Sequence, residues 1–280
     1  VYLKERYILA ILYFATNGPQ WSDGFGFLSS EHHCTWHGQS FGVRRSNDFV
    51  SQVDLESNNL KGKVPPELGS LAGLFYLDLY SNQLFGTIPS KLGQLTLLSN
   101  MAFDENFLSG TIPSELFEIE SLKVLWLEDN GLTGSLPDNI GLATAMTDFG
   151  VATNVLTGSV PAGLSTWKHL EALDLDDNPF VGQLPSFAGN DALARLYLGK
   201  NQFSGTIPTT LGNCKKLTSL RIFDEQLNGT IPTEITALPK LVSFIIMNTG
   251  ISGILPLFVS NDIWLISLPR NRFSGGLEEF

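Results

Sequence analysis

The chain has 280 residues, is 43 % hydrophobic and only 16 % charged, and carries a net charge of −11. That composition excludes a disordered tail or a coiled coil, and the acidic balance excludes nucleic acid as the main partner, because phosphate binding needs clustered Lys and Arg. No apolar run approaches the roughly 20 residues of a membrane span, and two cysteines are too few for a disulfide framework.

At the N-terminus, Leu3, Tyr7, Ile8, Ile11, Leu12 and Ala15 recur at helical spacing and predict an amphipathic helix over 5–16. Lys4, Glu5 and Arg6 interrupt the run and no small-residue cleavage site follows, so the segment reads as a mature helix and not a signal peptide. After Trp21 come His32, His33, Cys34 and His37, which on paper could hold zinc.

From about residue 50 one phrase returns ten times. It runs from Leu77 to Pro89 and again from Leu196 to Pro208. One column holds Asn58, Asn82, Asn106, Asn130, Asn154, Asn178 and Asn201, then Glu225, Thr249 and Asn271, at a step of 24 with one step of 23 and a last step of 22. Gly follows four residues later in every copy, from Gly62 to Gly275, and Pro three residues after that in nine, from Pro65 to Pro256. A fixed period of this length is the signature of a stacked array. Alternating pairs such as Leu77 and Leu79 predict short strands with one face inward, pairing in parallel from coil to coil about 4.8 Å apart. The Asn side chain has the donors and acceptors to bond backbone at the strand's exit, Gly permits a turn that a Cβ resists, and Pro fixes φ on the far side. A single coil cannot bury its own edge, so stacking supplies the stability.

The phrase, with Leu, Asn, Gly and Ile-Pro in these columns over residues 50–280, resembles plant-type leucine-rich repeats. Such repeats occur in receptor-like kinase ectodomains, in polygalacturonase-inhibiting proteins and in surface proteins of diatoms and other protists. The resemblance implies an α/β repeat solenoid: a right-handed superhelix of about ten 24-residue repeats with a concave parallel β-sheet and a helical N-terminal cap. Residues 1–49 would be the cap and 50–280 the repeats, C-terminally incomplete, since Glu278 stands where Pro is due and no closing cap follows. The helix, Trp21 and the stretch Cys34 to Gly38 are similar to that family's cap, but where the family has a second Cys about seven residues on, this chain has Phe41. Cys214 lies about seven coils from Cys34, roughly 30 Å at the strand spacing and beyond disulfide reach. It occupies the column of Leu71, Leu95, Ile119, Trp167 and Leu238, which predicts a buried, inert thiol.

The outward strand residues define the expected ligand surface. Asp54, Tyr76, Asp78, Tyr80, Asp104, Trp126, Glu128, Asp174 and Asp176 make it acidic and aromatic, and Tyr197, Arg221 and Phe223 turn it basic and aromatic further on. Exposed aromatics among charges are the material of binding hot spots, while the plainer reading is that charge keeps a long sheet soluble. Crowded acids such as Asp104, Glu105, Glu128 and Asp129 raise the question of calcium, but no loop with fixed ligand spacing is present and no metal is expected. No nucleophile motif, phosphate-binding Gly loop or metalloprotease signature occurs, and no cofactor is expected. Asn228-Gly229-Thr230 is a glycosylation sequon at a position that varies between coils.

These features predict a non-enzymatic recognition module at the cell surface or outside the cell. Its partner would be a protein, peptide or glycan on the concave face; the alternative is a structural or adhesive wall or matrix protein. The outward column holds Asp78, Trp126, Gly150 and Arg221 in turn, and such variety on a constant frame favours recognition.

Overall fold

The computed structural model describes residues 2–29, 36, 41–46, 49–260 and 262–274. His32, His33, Cys34 and His37, on which the zinc and cap-disulfide readings fall, lie outside these residues, as does the tail from Gly275, so the last copy of the phrase is described only as far as Ser274.

Two compact units, Val1–Ala143 and Thr144–Phe280, use the same coil. In the first, an antiparallel hairpin of β1 (Gly42–Ser46) and β2 (Phe49–Asp54) opens a sheet. It continues in parallel through β3 (Tyr76–Asp78), β4 (Asn100–Ala102) and β5 (Val124–Trp126). The register aligns Val53, Leu77, Met101 and Leu125, all wholly buried. The second unit stacks β6 (Asp148–Gly150), β7 (Ala172–Asp174), β8 (Arg195–Tyr197), β9 (Ser219–Phe223), β10 (Ser243–Met247) and β11 (Leu265–Ser267), again in parallel. Phe149, Leu173, Leu196, Leu220 and Phe244 form its inward row. Each such side chain stabilises by roughly 1.5–3 kcal/mol when fully buried, and most of what covers it belongs to the coils on either side.

Each strand exits through one residue in the left-handed region, from Ser57 and Ser81 to Asn248 and Arg270, with φ between 49 and 58°. The ladder residue follows. Asn82 donates through Nδ2 to the carbonyls of Leu55, Leu79 and Tyr80 at 2.9–3.0 Å, and its Oδ1 accepts the N–H groups of Asn58 and Leu60 at 3.0 and 2.9 Å. Asn106, Asn130, Asn178 and Asn201 likewise donate to a carbonyl of the coil before them and accept an N–H from it. A planar amide with two donors and two lone pairs suits a site that must bond both its own turn and the preceding coil.

On the far side of the coil, Pro65, Pro89, Pro113, Pro137, Pro161 and Pro208 each precede a five-residue 3₁₀ turn, as in Ser90–Gln94 and Thr209–Asn213. Their φ of −61 to −75° is what the ring imposes. The single 23-residue step is absorbed after Pro185, where no such turn is assigned. There Asn190, wholly buried, donates to the carbonyls of Leu164 and Trp167 at 3.1 Å and ties the shortened coil to its neighbour.

The N-terminal helix α1 runs from Tyr2 to Ala15, and its inward face matches the one its periodicity suggests only in part. Leu3 and Tyr7 are 78 % and 67 % exposed, while Glu5, Ile8, Leu9 and Leu12 are buried. Glu5 is drawn in because its carboxylate accepts the N–H of Val50 at 3.0 Å, near the start of β2, where the hairpin register shifts between Arg44 and Arg45. Trp21 is also buried, its Nε1 donating to the Thr16 carbonyl at 3.0 Å.

Cys214 is unpaired and wholly buried, and burial pushes its thiol up to about 12. A thiol so rarely ionised is a poor nucleophile. Iodoacetamide at pH 8 should therefore leave the Cys214 peptide unmodified in the folded protein and label it fully in urea; mass-spectrometric labelling of the native chain within minutes would contradict this.

Candidate functional site

Alternation along each strand sends Asp54, Asp78, Trp126, Asp174, Tyr197 and Arg221 to the sheet face opposite the core. Asp54, Asp78, Ala102 and Trp126 are register partners in the first unit, as are Gly150, Asp174, Tyr197 and Arg221 in the second.

In the first unit the carboxylates crowd. Oxygens of Asp54, Glu56 and Asp78 lie within 4.8 Å of one another. Burial, followed by the charges of Asp78 and Glu56, pushes Asp54 up to about 6, and burial raises Glu56 and Asp78 as well. Asp104 also rises to about 6 through burial, with Asp78, Glu105 and Asp129 adding to it. Oδ1 of Asp54 and of Asp104 is shielded from solvent and has no hydrogen-bond partner. Oxygens placed this way favour a cation, whether a metal ion or the ammonium or guanidinium of a ligand. The crowding expected around Asp104, Glu105, Glu128 and Asp129 is present at Asp104, which Glu105 and Asp129 raise, while among the described residues the three carboxylates close enough to share one ion are Asp54, Glu56 and Asp78.

Asp78, expected on the exposed surface, is only 5 % exposed. Its Oδ1 accepts the N–H of Tyr80 and its Oδ2 the hydroxyl of Tyr76, both at 2.9 Å, so this carboxylate shapes the turn and holds a ring. Tyr80 reaches on to Glu105, its hydroxyl donating to Oε1 at 3.0 Å. Trp126 is 42 % exposed beside small Ala102, and Glu128 is half-buried two residues further on.

The second unit compensates its charges internally. Arg221 pairs with Asp176, Lys200 with Asp177 at 2.8 Å, and Arg195 with Asp148 at 3.4 Å. The Arg221 guanidinium lies 4.7 Å from the ring centre of Tyr197 and 5.5 Å from that of Phe223, a cation–π sandwich. Asp176 is buried and also accepts the N–H of Gly199, while Asp174 accepts the N–H of Asp176 at 3.0 Å. A Cβ at Gly199 would sit 2.0 Å from the Phe223 ring and force the ring out of this position. Asn228 is exposed at the end of a short strand, Gln226–Asn228.

The family description "Leucine Rich Repeat" matches residues 73–95, 121–142, 169–190 and 192–214. The plant peptide hormone receptor RGFR1, solved in complex with RGF2, is 35 % identical over 81 % of this chain and 37 % of its own, with a TM-score of 0.78. These are plant-type leucine-rich repeats. The Arabidopsis receptor kinase HAESA, solved with the peptide hormone IDA and the co-receptor SERK1, is 26 % identical over 98 % of this chain and 59 % of its own, with a TM-score of 0.61. A plant ice-binding protein shares the fold at 24 % identity, over 98 % of this chain and 96 % of its own, with a TM-score of 0.70. The chain thus spans 37 % of the length of the first receptor and 59 % of the second, and no curated protein matches it. No described helix of this leucine-rich-repeat chain is long and apolar enough to cross a membrane.

Two features of these leucine-rich repeats escape sequence reasoning. One is the left-handed residue before each ladder position, which directs side chains such as Glu105, Asp177 and Lys200 away from the strand's alternation. The other is Glu225. It is legible as an exception in the Asn column, but not as a buried carboxylate bonded to the preceding coil.

Proposed function

We propose that this chain is a non-enzymatic, extracellular recognition module whose outward sheet face binds a peptide. In the first unit that face takes a basic side chain. The observation that carries the reading is the pairing of crowded, partly buried carboxylates, Asp54, Glu56 and Asp104, with the rings of Tyr76, Tyr80 and Trp126 on one face; the nearby Arg44 offsets Asp54 less than burial and its acidic neighbours raise it. Rings supply contact area at small entropic cost, and carboxylates held above their ordinary range gain when a cation arrives. The likeness to receptors solved with peptide hormones supports a peptide over other partners.

The test is calorimetric titration of the chain with a library of Arg- and Lys-containing peptides, beside Trp126→Ala and Asp104→Asn. We expect a micromolar or tighter peptide whose affinity falls at least about tenfold in each variant, the size of one hot-spot contact. Affinity should also fall with pH. Cation binding needs Asp54 and Asp104 ionised, so it is fully present above pH 7 and weakens as the pH drops through about 6. Peptides bound equally by both variants, or no basic peptide bound at all, would shift the reading to a structural or adhesive role.

A further inference from the structure

Asn228 is the one asparagine of the chain with Ser or Thr two residues on and a residue other than Pro between. The repeat itself supplies the Thr. Thr87, Thr111, Thr206 and Thr230 share a column, and each turns its methyl towards the column glycine of the next coil. For Thr230 that methyl lies 2.8 Å from where a Cβ of Gly253 would stand. The repeat does not supply the Asn. Its column holds Lys61, Phe85, Ser109, Thr133, Thr157 and Val181, all exposed and of unrelated chemistry, so the coil demands nothing of this position.

Both functional groups of the tripeptide face solvent. Asn228 ends the strand Gln226–Asn228, is exposed, and bonds no described residue through its amide; the hydroxyl of exposed Thr230 is equally free. A ladder amide is the opposite case. Asn201 is 6 % exposed and donates to the carbonyls of Leu175, Leu198 and Gly199, bonds that a substituent on its nitrogen would break. Beside Asn228 opens a cleft of about 560 Å³, lined by Gln226, Asn248, Thr249 and Arg272 among others. Their amide, hydroxyl and guanidinium groups are the partners that sugar hydroxyls take. Asn228 also follows the turn after β9, so it stands in the three-stranded sheet of Val181–Gln183, Gln202–Thr206 and Gln226–Asn228 and not beside Arg221 and Phe223.

We propose that Asn228 carries an N-linked glycan, with room for its first sugar in this cleft. In the transfer, Nδ2 of Asn228 bonds to the anomeric carbon of an oligosaccharide held on a polyprenyl diphosphate. The bond from that carbon to the diphosphate oxygen breaks, the lipid diphosphate leaves, and the amide nitrogen gives up one proton. The proposal rests on the extracellular part of the reading above, because the donor is met in the secretory pathway. It does not depend on what the outward face binds.

The experiment secretes the chain from eukaryotic cells beside Asn228→Gln and Thr230→Val, and reads the tryptic peptide Ile222–Lys240 by mass spectrometry. In the unsubstituted chain this peptide should carry an oligosaccharide that peptide N-glycosidase removes, leaving an aspartate in place of the asparagine. Both variants should lack it. Thr230→Val keeps a methyl towards Gly253 and removes only the hydroxyl, so it separates loss of the acceptor from loss of the fold. Should either variant be retained in the cell, the peptide of the unsubstituted chain decides alone. A secreted chain with this peptide unmodified would overturn the site and leave peptide binding, measured by calorimetry, standing. The same peptide unmodified in cytosolic protein from the native cells would overturn the site and the extracellular reading together.

Discussion

Replacing Asn82 by Ala should lower the stability of the fold by about 3–5 kcal/mol, more than the loss of most core methyl groups. The side chain makes five hydrogen bonds to backbone, three as donor and two as acceptor, reaching Leu55, Asn58 and Leu60 in the preceding coil. Asn82 is buried, so water does not replace what is lost. An unsatisfied buried group costs about 1–3 kcal/mol, and only part of the five can be rescued by relaxation. Stacked coils couple to their nearest neighbours, so the damage should concentrate at the junction next to the N-terminal cap. Urea unfolding measures the total, and hydrogen exchange at the Asn58 and Leu60 amides localises it. Asn82→Asp separates the two halves of the role, keeping the acceptors and losing the donors. A loss below about 1 kcal/mol in Asn82→Ala would show that the ladder is ornamental.

Gly62→Ala should cost about 2–4 kcal/mol, because overpacking and backbone strain act together. A Cβ at this position would stand 1.9 Å from the carbonyl oxygen of Ala15 and 3.1 Å from Cα of Thr16, both backbone atoms at the end of α1. The residue also has φ of 150°. The neighbouring Lys61 N–H donates to the Thr16 carbonyl at 2.9 Å, so the helix cannot back away without breaking that bond. The early-unfolding part should then be the helix with buried Trp21, visible as a tryptophan fluorescence change before the main transition. Gly86→Ala is the comparison. It has φ of 84°, but its nearest contacts are methylenes of the Lys63 side chain at 3.3 Å and beyond, which can move. Equal losses in the two variants would mean that backbone conformation alone, and not the seating of the helix, makes Gly62 necessary.

Most of the coil was legible in the chain itself. Each copy repeats the same local contacts with the copy before it, so one reading of the Leu, Asn, Gly and Pro columns applied to them all. The inward rows from Val53 to Leu125 and from Phe149 to Phe244, the ladder bonds and the buried Cys214 followed from column membership alone.

The functional face was legible as a list of residues and not as an arrangement. Alternation assigns Asp78 and Asp176 to the outward side, but only their neighbours reveal that they are buried and bonded to the backbone of their turns and coils. The stack of Arg221 between Tyr197 and Phe223 depends on the absence of a side chain at Gly199, a condition no column expresses.

At the N-terminus, helical spacing was right about the helix and about Ile8 and Leu12, and wrong about Leu3, Tyr7 and Glu5. What α1 buries is decided by the strand it packs against, where Val50 needs an acceptor and Glu5 provides it. A repeating pattern encodes contacts that recur from coil to coil. Contacts made once, by side chains whose partners lie on a different kind of element, are decided only when the chain has folded.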